Sequence, residues 1–215
     1  MTMDYDIIAD WEKVIHPDCG KEYHVENDII KFPFMTEEGC AKLVTLGKTF
    51  DRYFHRHQQG HTTIDYKGNL EFVNLEFTFL SRLLFLKFTE HYKLMLPIIG
   101  QVWPYTHVSG WFSPLLVKYE TTHNDQLSPH HDLSLITMVV KLNNDFQGGD
   151  LVFPRQQYNN HDLPVGWAVM FPGTLTHYHQ TTPMLSGTKY SLTSWTWPPE
   201  WPQGKQHGIP NNLAI

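Results

Sequence analysis

Residues 128–142 read SPHHDLSLITMVVKL: two histidines and an aspartate, then a run of mostly branched, apolar residues. The segment 135–142 has the composition of a strand. Side chains two apart on a strand share a face, so His130 and Asp132 face one way and His131 the other. Taken alone, His-x-Asp also fits a turn residue beside a strand-end histidine. A second pair, His177 and His179, lies two apart after the turn Phe171-Pro172-Gly173. Two imidazoles and one carboxylate with open coordination positions suit a non-haem Fe(II) that activates O2. Zinc takes the same ligand types, but the chain has neither HExxH nor a paired-cysteine site. A Ser-His-Asp hydrolase is disfavoured by the lack of a G-x-S-x-G elbow.

Outward from this stretch, the pattern from residue 110 onward is short strands and turns. Segments 115–119, 135–142, 150–153, 166–171, 175–179 and 189–195 are rich in branched and aromatic residues. NNDFQGGD, NNHDLP and FPG supply turn chemistry between them. This spacing predicts a mainly β, α+β chain: a double-sheet barrel or jelly roll with N-terminal helices packed outside.

The first hundred residues read as mixed, with two helical segments. After Thr36, EEGCAKLVTLGKTF places Cys40, Leu43, Val44 and Phe50 near one face, with Glu37 and Glu38 in the first turn. A second helix is expected within 75–96, where Leu80, Leu83, Leu84 and Phe88 repeat at three and four and continue to Leu94 and Met95. Arg82, Lys87 and Glu90 interrupt that apolar stretch, so a buried helix is the better reading than a membrane span. We expect one domain over 1–215: a helical part over about 1–100, a catalytic barrel over about 101–198 and an irregular tail over 199–215.

Hydrophobic residues make up 41% of the 215 and aromatics 14%, enough for a sizeable core. A net charge of -6 without a Lys/Arg block argues against nucleic acid as a partner. Cys19 and Cys40 lack metal-type spacing, and two free thiols in a reducing compartment is the simpler reading. The start, MTMDYDIIADWEK, has no apolar segment of a secretory signal. The expected location is cytoplasmic, unless the chain is a fragment of a longer secretory-pathway protein.

Four motifs follow in order: Pro-His-His-Asp (129–132), Phe-Gln-Gly-Gly (146–149), Pro-Gly-x-Leu-Thr-His-x-His (172–179) and Gly-Thr-Lys-Tyr (187–190). On these the chain resembles the Fe(II)- and 2-oxoglutarate-dependent lysyl hydroxylases, the collagen lysine modifiers, over about 115–153 and 165–195. Prolyl 4-hydroxylases are a more distant likeness. The resemblance implies a double-stranded β-helix core and carries His130 and Asp132 over as iron ligands. It also implies His179 as the third ligand, since the family places it four residues before a proline and ten before the basic cosubstrate residue, here Pro183 and Lys189. His177 is then expected to line the pocket or orient a ligand.

The departures concern the substrate. Lysyl hydroxylases place arginine at Lys189, whereas prolyl 4-hydroxylases place lysine there. A family Gly-Gly-Gly becomes Gly148-Gly149-Asp150, and small polar residues after the aspartate become Leu133 and Leu135. The implied cofactor set is Fe(II), 2-oxoglutarate, O2 and ascorbate. Lys189 would pair the far carboxylate of 2-oxoglutarate, helped by Tyr119 and Ser191, and Thr137 is a candidate pocket hydroxyl. The implied reaction hydroxylates a peptidyl side chain, most naturally lysine in a collagen-like peptide or protein, and yields succinate and CO2. Peptidyl proline or a free amino acid is the alternative, and an inert jelly-roll binding module the third reading. Asp145, Asp150, Trp103, Tyr105 and Trp111 are candidate substrate contacts on position only, and a homodimer is a further expectation of the resemblance.

Overall fold

The computed structural model of the chain describes residues 10–49, 69–71, 78–104, 108, 110–111, 114–122 and 125–197. A short helix α1 (Trp11–Val14) precedes the hairpin β1 (His24–Glu26) and β2 (Ile29–Pro33). Helix α2 (Glu37–Thr49) follows, then β3 (Asn69–Glu71) and α3 (Thr78–Tyr92). A single 3-10 turn, Lys93–Met95, joins α3 to α4 (Leu96–Val102). Ten strands complete the described order: β4 (Gly110–Trp111), β5 (Leu115–Glu120), β6 (Leu127–His130), β7 (Ile136–Lys141), β8 (Phe146–Gly148), β9 (Leu151–Phe153), β10 (Tyr158–Asn159), β11 (Trp167–Pro172), β12 (His179–Thr181) and β13 (Met184–Trp197).

The strands form two antiparallel sheets. The larger runs β1-β2-β11-β7-β13-β5-β3, with β4 and β8 also paired to β13, and the smaller runs β10-β9-β12-β6. Alternation along the large sheet separates its two faces. Ile30, Phe32, Leu116, Met138, Val140, Ala168, Met170, Tyr190 and Leu192 pack in one cluster with Cys40 and Leu43 of α2 and Leu84, Phe88 and Tyr92 of α3. The opposite face gives Ile29, Val169 and Phe171 to a second cluster with Leu151, Phe153 and Tyr158 from β9 and β10 of the small sheet. The result is a β-sandwich of the jelly-roll kind, with helices against its outer face.

Local sequence explains the helical layer. Thr36 caps α2: its Oγ1 accepts from Gly39 N at 3.0 Å while its carbonyl takes the first helical bond, from Cys40 N at 3.0 Å. Phe34, Phe88 and Tyr92 stack in near-parallel pairs with centroids 5.6–6.3 Å apart. Burying each such ring contributes roughly 1.5–3 kcal/mol.

The architecture agrees with the expected jelly roll, with three differences in detail. The N-terminal hundred residues are not only helical: β2 pairs with β11 inside the large sheet, with Ala168 opposite Phe32. The segment 175–179 is a bend, not a strand; Leu175 has φ 63° and is 86% exposed, and pairing begins only at His179. The last strand, expected over 189–195, begins at Met184 because its first residues pair with β8. The helix expected within 75–96 is α3 with its 3-10 turn, which leaves Leu94 exposed and Met95 buried. The side chains of Leu80 and Leu83, and all of Phe50, Tyr105 and the 199–215 tail, lie outside the described residues. Both cysteines are free and buried, and burial pushes each thiol up to about 12. No described helix is long and apolar enough to cross a membrane.

Candidate metal centre and adjoining cavity

Between the sheets lies a cavity of about 50 Å³ that opens to solvent. The small sheet brings the histidines together: His179, first in β12, is paired directly with His130, last in β6. Asp132 lies two residues past the end of β6, where its N–H donates to Gly173 O at 3.0 Å. His130, Asp132 and His179 are all buried, and one donor atom from each lies within 4.8 Å of the others. His130 Nε2 is 3.4 Å from Asp132 Oδ1, and His179 Nε2 is 3.7 Å from Asp132 Oδ2.

The imidazoles are held from behind. His130 Nδ1 donates to Ser128 O at 2.8 Å and His179 Nδ1 to His177 O at 2.8 Å. Carbonyl oxygens only accept, so both Nδ1 atoms carry protons and both Nε2 atoms face the carboxylate with a lone pair when neutral. Burial resists charge at Asp132, but the two histidines and the Thr137 hydroxyl outweigh it and hold the carboxyl below its usual range. At His130 burial is outweighed by Asp132, so its pKa is raised, whereas at the more deeply buried His179 burial wins and lowers it. A buried carboxylate flanked by two oriented imidazole nitrogens is a donor set that fits a divalent first-row metal.

The second feature of the cavity is a buried cation. Lys189 is 3% exposed; its Nζ donates to Gly149 O at 2.6 Å and lies 5.0 Å from the centre of the Tyr119 ring. Burial lowers its pKa to about 8, against the opposing pull of Asp150. Among the described residues no carboxylate lies within 4 Å of Nζ, so a buried ammonium is left for an anion that enters the cavity. Tyr119 and Ser191 line the same space, on the alternating positions that also place Lys189 there. Burial pushes the Tyr119 hydroxyl up to about 12, so it stays a donor at neutral pH, and Thr181 hydrogen-bonds to it. The cavity thus carries a buried cation at Lys189 and a metal-type triad, with Val117, Val139 and Leu151 as apolar wall.

All six residues expected at the site line this one cavity, and so does Thr137. His177 does not. It is fully buried, with Nε2 donating to Asp28 O at 3.1 Å and Nδ1 facing Thr176 Oγ1 at 2.8 Å. It meets the triad through its carbonyl, which accepts from His179 Nδ1, and through Phe153 and Phe171, whose rings pack against both imidazoles. Asp150 instead meets His161 at 3.1 Å, and Asp145 is exposed. Trp103 donates to Asp28 Oδ1 at 2.7 Å and does not line the cavity, Trp111 pairs through its backbone with Thr196, and the Trp111 side chain lies outside the described residues. Thr181, Thr193 and Trp195 line the cavity and were not foreseen. Period-two spacing from Lys189 through Ser191 reaches Thr193 and Trp195, so that signal was present.

Residues 115–197 match the 2OG-Fe(II) oxygenase superfamily. The rat procollagen-lysine,2-oxoglutarate 5-dioxygenase 1 is 31% identical over 209 residues, which cover 88% of this chain. The human procollagen-lysine,2-oxoglutarate 5-dioxygenase 2 is 30% identical over 204 residues, covering 86%. The chain spans 27% of the length of each of these relatives. Among solved structures, a Pseudomonas putida prolyl-4-hydroxylase superposes with a TM-score of 0.55 at 15% identity, covering 89% of this chain and 96% of that one. A Trichoplax adhaerens prolyl hydroxylase, in complex with a hypoxia inducible factor peptide, superposes with a TM-score of 0.58 at 12% identity, covering 92% and 93%. These two likenesses concern the fold.

Proposed function

We propose that the chain, whose residues 115–197 match the 2OG-Fe(II) oxygenase superfamily, is a 2-oxoglutarate-dependent dioxygenase that hydroxylates a peptidyl side chain, lysine first. The observation that carries the reading is one cavity holding both the His130, Asp132 and His179 triad and the buried Lys189 ammonium.

In this reading His130 Nε2, Asp132 and His179 Nε2 hold Fe(II), which when bound supplies O2 activation coupled to conversion of 2-oxoglutarate to succinate and CO2. Lys189 binds the far carboxylate of 2-oxoglutarate as a fixed point charge, with the Tyr119 and Ser191 hydroxyls beside it. Gly149 O and the Tyr119 ring hold the ammonium in place before the cosubstrate arrives. Val117, Val139 and Leu151 exclude water around the triad, which strengthens each charge-assisted bond inside. The carbonyls of Ser128 and His177 keep both ring Nδ1 protons in place and so keep the Nε2 atoms oriented. We read 1–215 as a single oxygenase domain, which the length of the matched region supports.

The lysyl preference is supported by the collagen-lysine relatives, at about 30% identity over 27% of their length. A prolyl target is the second reading, favoured by lysine at position 189 in the cosubstrate pocket. Collagen-like peptides containing only lysine or only proline, incubated with Fe(II), 2-oxoglutarate and ascorbate, separate the two by mass spectrometry. A gain of one oxygen on the lysine peptide is expected. Product on the proline peptide alone overturns the lysyl reading, and absence of 2-oxoglutarate turnover and of iron binding overturns the enzyme reading.

A further inference from the structure

Two buried hydroxyls stand behind the triad. Thr137 Oγ1 is 2.6 Å from Asp132 Oδ2, and Ser134 Oγ is 2.7 Å from Thr137 Oγ1. Ser134 is 2% exposed and Thr137 1%. An ionised carboxylate only accepts, so the single Thr137 proton goes to Asp132. The proton in the 2.7 Å contact then comes from Ser134, and the chain of donation runs Ser134 to Thr137 to Asp132.

The backbone closes around this chain. Asp132 N donates to Gly173 O and Gly173 N donates to Leu135 O, each at 3.0 Å, so the loop 132–135 is pinned against the end of β11. A Cβ on Gly173 would come closer than 3.0 Å to both Ser134 Oγ and Ser134 O. The absence of a side chain at 173 is what lets Ser134 lie beneath Thr137. Thr137 itself sits on β7, opposite Trp195 of β13, in the middle of the large sheet.

We propose that Ser134 and Thr137 are positioning residues for the metal: they commit Asp132 Oδ2 to a hydroxyl and leave Oδ1 as the donor, so that the carboxylate takes one coordination position. The inference rests on the reading of the triad as the iron site. Its consequence is that the remaining positions stay open for cosubstrate and O2. Loss of the Thr137 hydroxyl frees the carboxylate to rotate away from the orientation that presents Oδ1, which weakens metal binding and alters the carboxylate's coordination.

The test is Co(II) binding to the metal-free full chain, measured by calorimetry and by the visible absorption of the bound ion. Thr137→Val keeps the side-chain shape, removes the donor and is expected to raise the Co(II) dissociation constant about tenfold or more. It should also change the absorption band, since the carboxylate mode changes. Thr137→Ser keeps the hydroxyl and is expected to restore wild-type binding and spectrum. Ser134→Ala, which leaves Thr137 in place without its own donor, is expected to weaken binding by a smaller factor. Thermal unfolding in EDTA separates the effect on metal from an effect on the fold, and if the valine variant does not fold, Ser134→Ala and Thr137→Ser decide. Wild-type affinity and spectrum in Thr137→Val, or in Ser134→Ala when the valine variant is unfolded, overturn the inference. A Thr137→Ser variant as weak as the valine also overturns it. A wild-type chain whose Co(II) binding is unaffected by His179→Ala overturns the iron-site reading itself, and the inference with it.

Discussion

Lys189 Nζ donates to the carbonyl oxygen of Gly149 at 2.6 Å, joining the cavity face of β13 to the loop after β8. That loop turns through two glycines in the left-handed region, Gly148 at φ 72° and Gly149 at φ 66°. A Cβ on Gly149 would lie closer than 3.0 Å to Met184 Sδ and 3.3 Å from Lys189 Cδ. The position needs glycine for its backbone and for its closeness to the lysine stem.

Gly149→Ala is therefore expected to act on both stability and cosubstrate binding. Strain and overpacking should cost about 1–3 kcal/mol in chemical unfolding. The displaced lysine should weaken 2-oxoglutarate binding to the Co(II)-loaded protein several-fold by calorimetry. An alanine variant with wild-type 2-oxoglutarate affinity would separate Gly149 from the function of Lys189.

The depressed Lys189 pKa sets a pH dependence. Burial lowers it to about 8, with Asp150 opposing and Lys141 adding to the shift. Below pH 8 the ammonium is present and 2-oxoglutarate affinity should be flat. Above it the free site loses its cation, and the dissociation constant should rise about tenfold between pH 7 and pH 9. Folding stability moves the other way. The unfolded lysine keeps its proton up to its ordinary value of 10.5, so the unfolded state binds more protons between pH 8 and 10.5. The cost of the buried charge is full below pH 8 and disappears as pH rises through that window. Calorimetry and unfolding across pH 6.5–10 check both signs, and Lys189→Met should remove both dependences.

The pairing of His130 with Asp132 was legible in sequence because two-residue alternation holds beyond the strand itself, whereas His179 was singled out from His177 by the family resemblance alone. Asp132 is outside β6, yet His130, His131 and Asp132 are still buried, exposed and buried in turn. The same reasoning failed at 175–179, where branched and aromatic residues imitate a strand. Thr174–Thr176 instead bend, and His177 turns its ring away to Asp28. Spacing could not reveal that, because Asp28 sits in a hairpin turn about 150 residues earlier. The place of β2 beside β11 is equally long-range, and no local pattern distinguishes an apolar IIKF segment that joins this sheet from one that does not. β6, β8 and β10 were missed because proline, glycine and asparagine in two- to four-residue strands resemble turns.

The two downstream histidines should separate sharply by mutation. His179→Ala removes a converging nitrogen and should abolish Co(II) binding at micromolar concentrations, with all turnover. His177→Ala keeps the carbonyl that holds His179 Nδ1, because that atom belongs to the backbone. It loses the bonds to Asp28 O and Thr176 and leaves a space at a fully buried position. The cost should be about 1–3 kcal/mol of stability, with metal binding retained. Metal titrations and unfolding curves on the two variants check the ranking, and a His177→Ala protein that binds no metal while folded would reverse it.

Metal removal should lower stability in a pH-dependent way. A ligand that binds only the folded chain at a hundred times its dissociation constant adds about 2.7 kcal/mol. For a chain of this length that is a shift of roughly 5–10 °C in melting temperature. Binding requires neutral imidazoles, and the His130 pKa is raised above its ordinary 6.5 because the Asp132 carboxylate outweighs the effect of burial. Protons therefore compete with the metal first at His130, and the gap between Co(II)-loaded and EDTA-treated melting temperatures should be largest near pH 7.5 and narrow as pH falls through 6. Without metal, the charged His130 and Asp132 attract one another at 3.4 Å, so the chelated protein should lose less stability over the same range than the loaded one. Scanning calorimetry at pH 5.5, 6.5 and 7.5, with and without EDTA, measures that gap. A gap that stays constant across the three would place the stabilising ion away from the histidines.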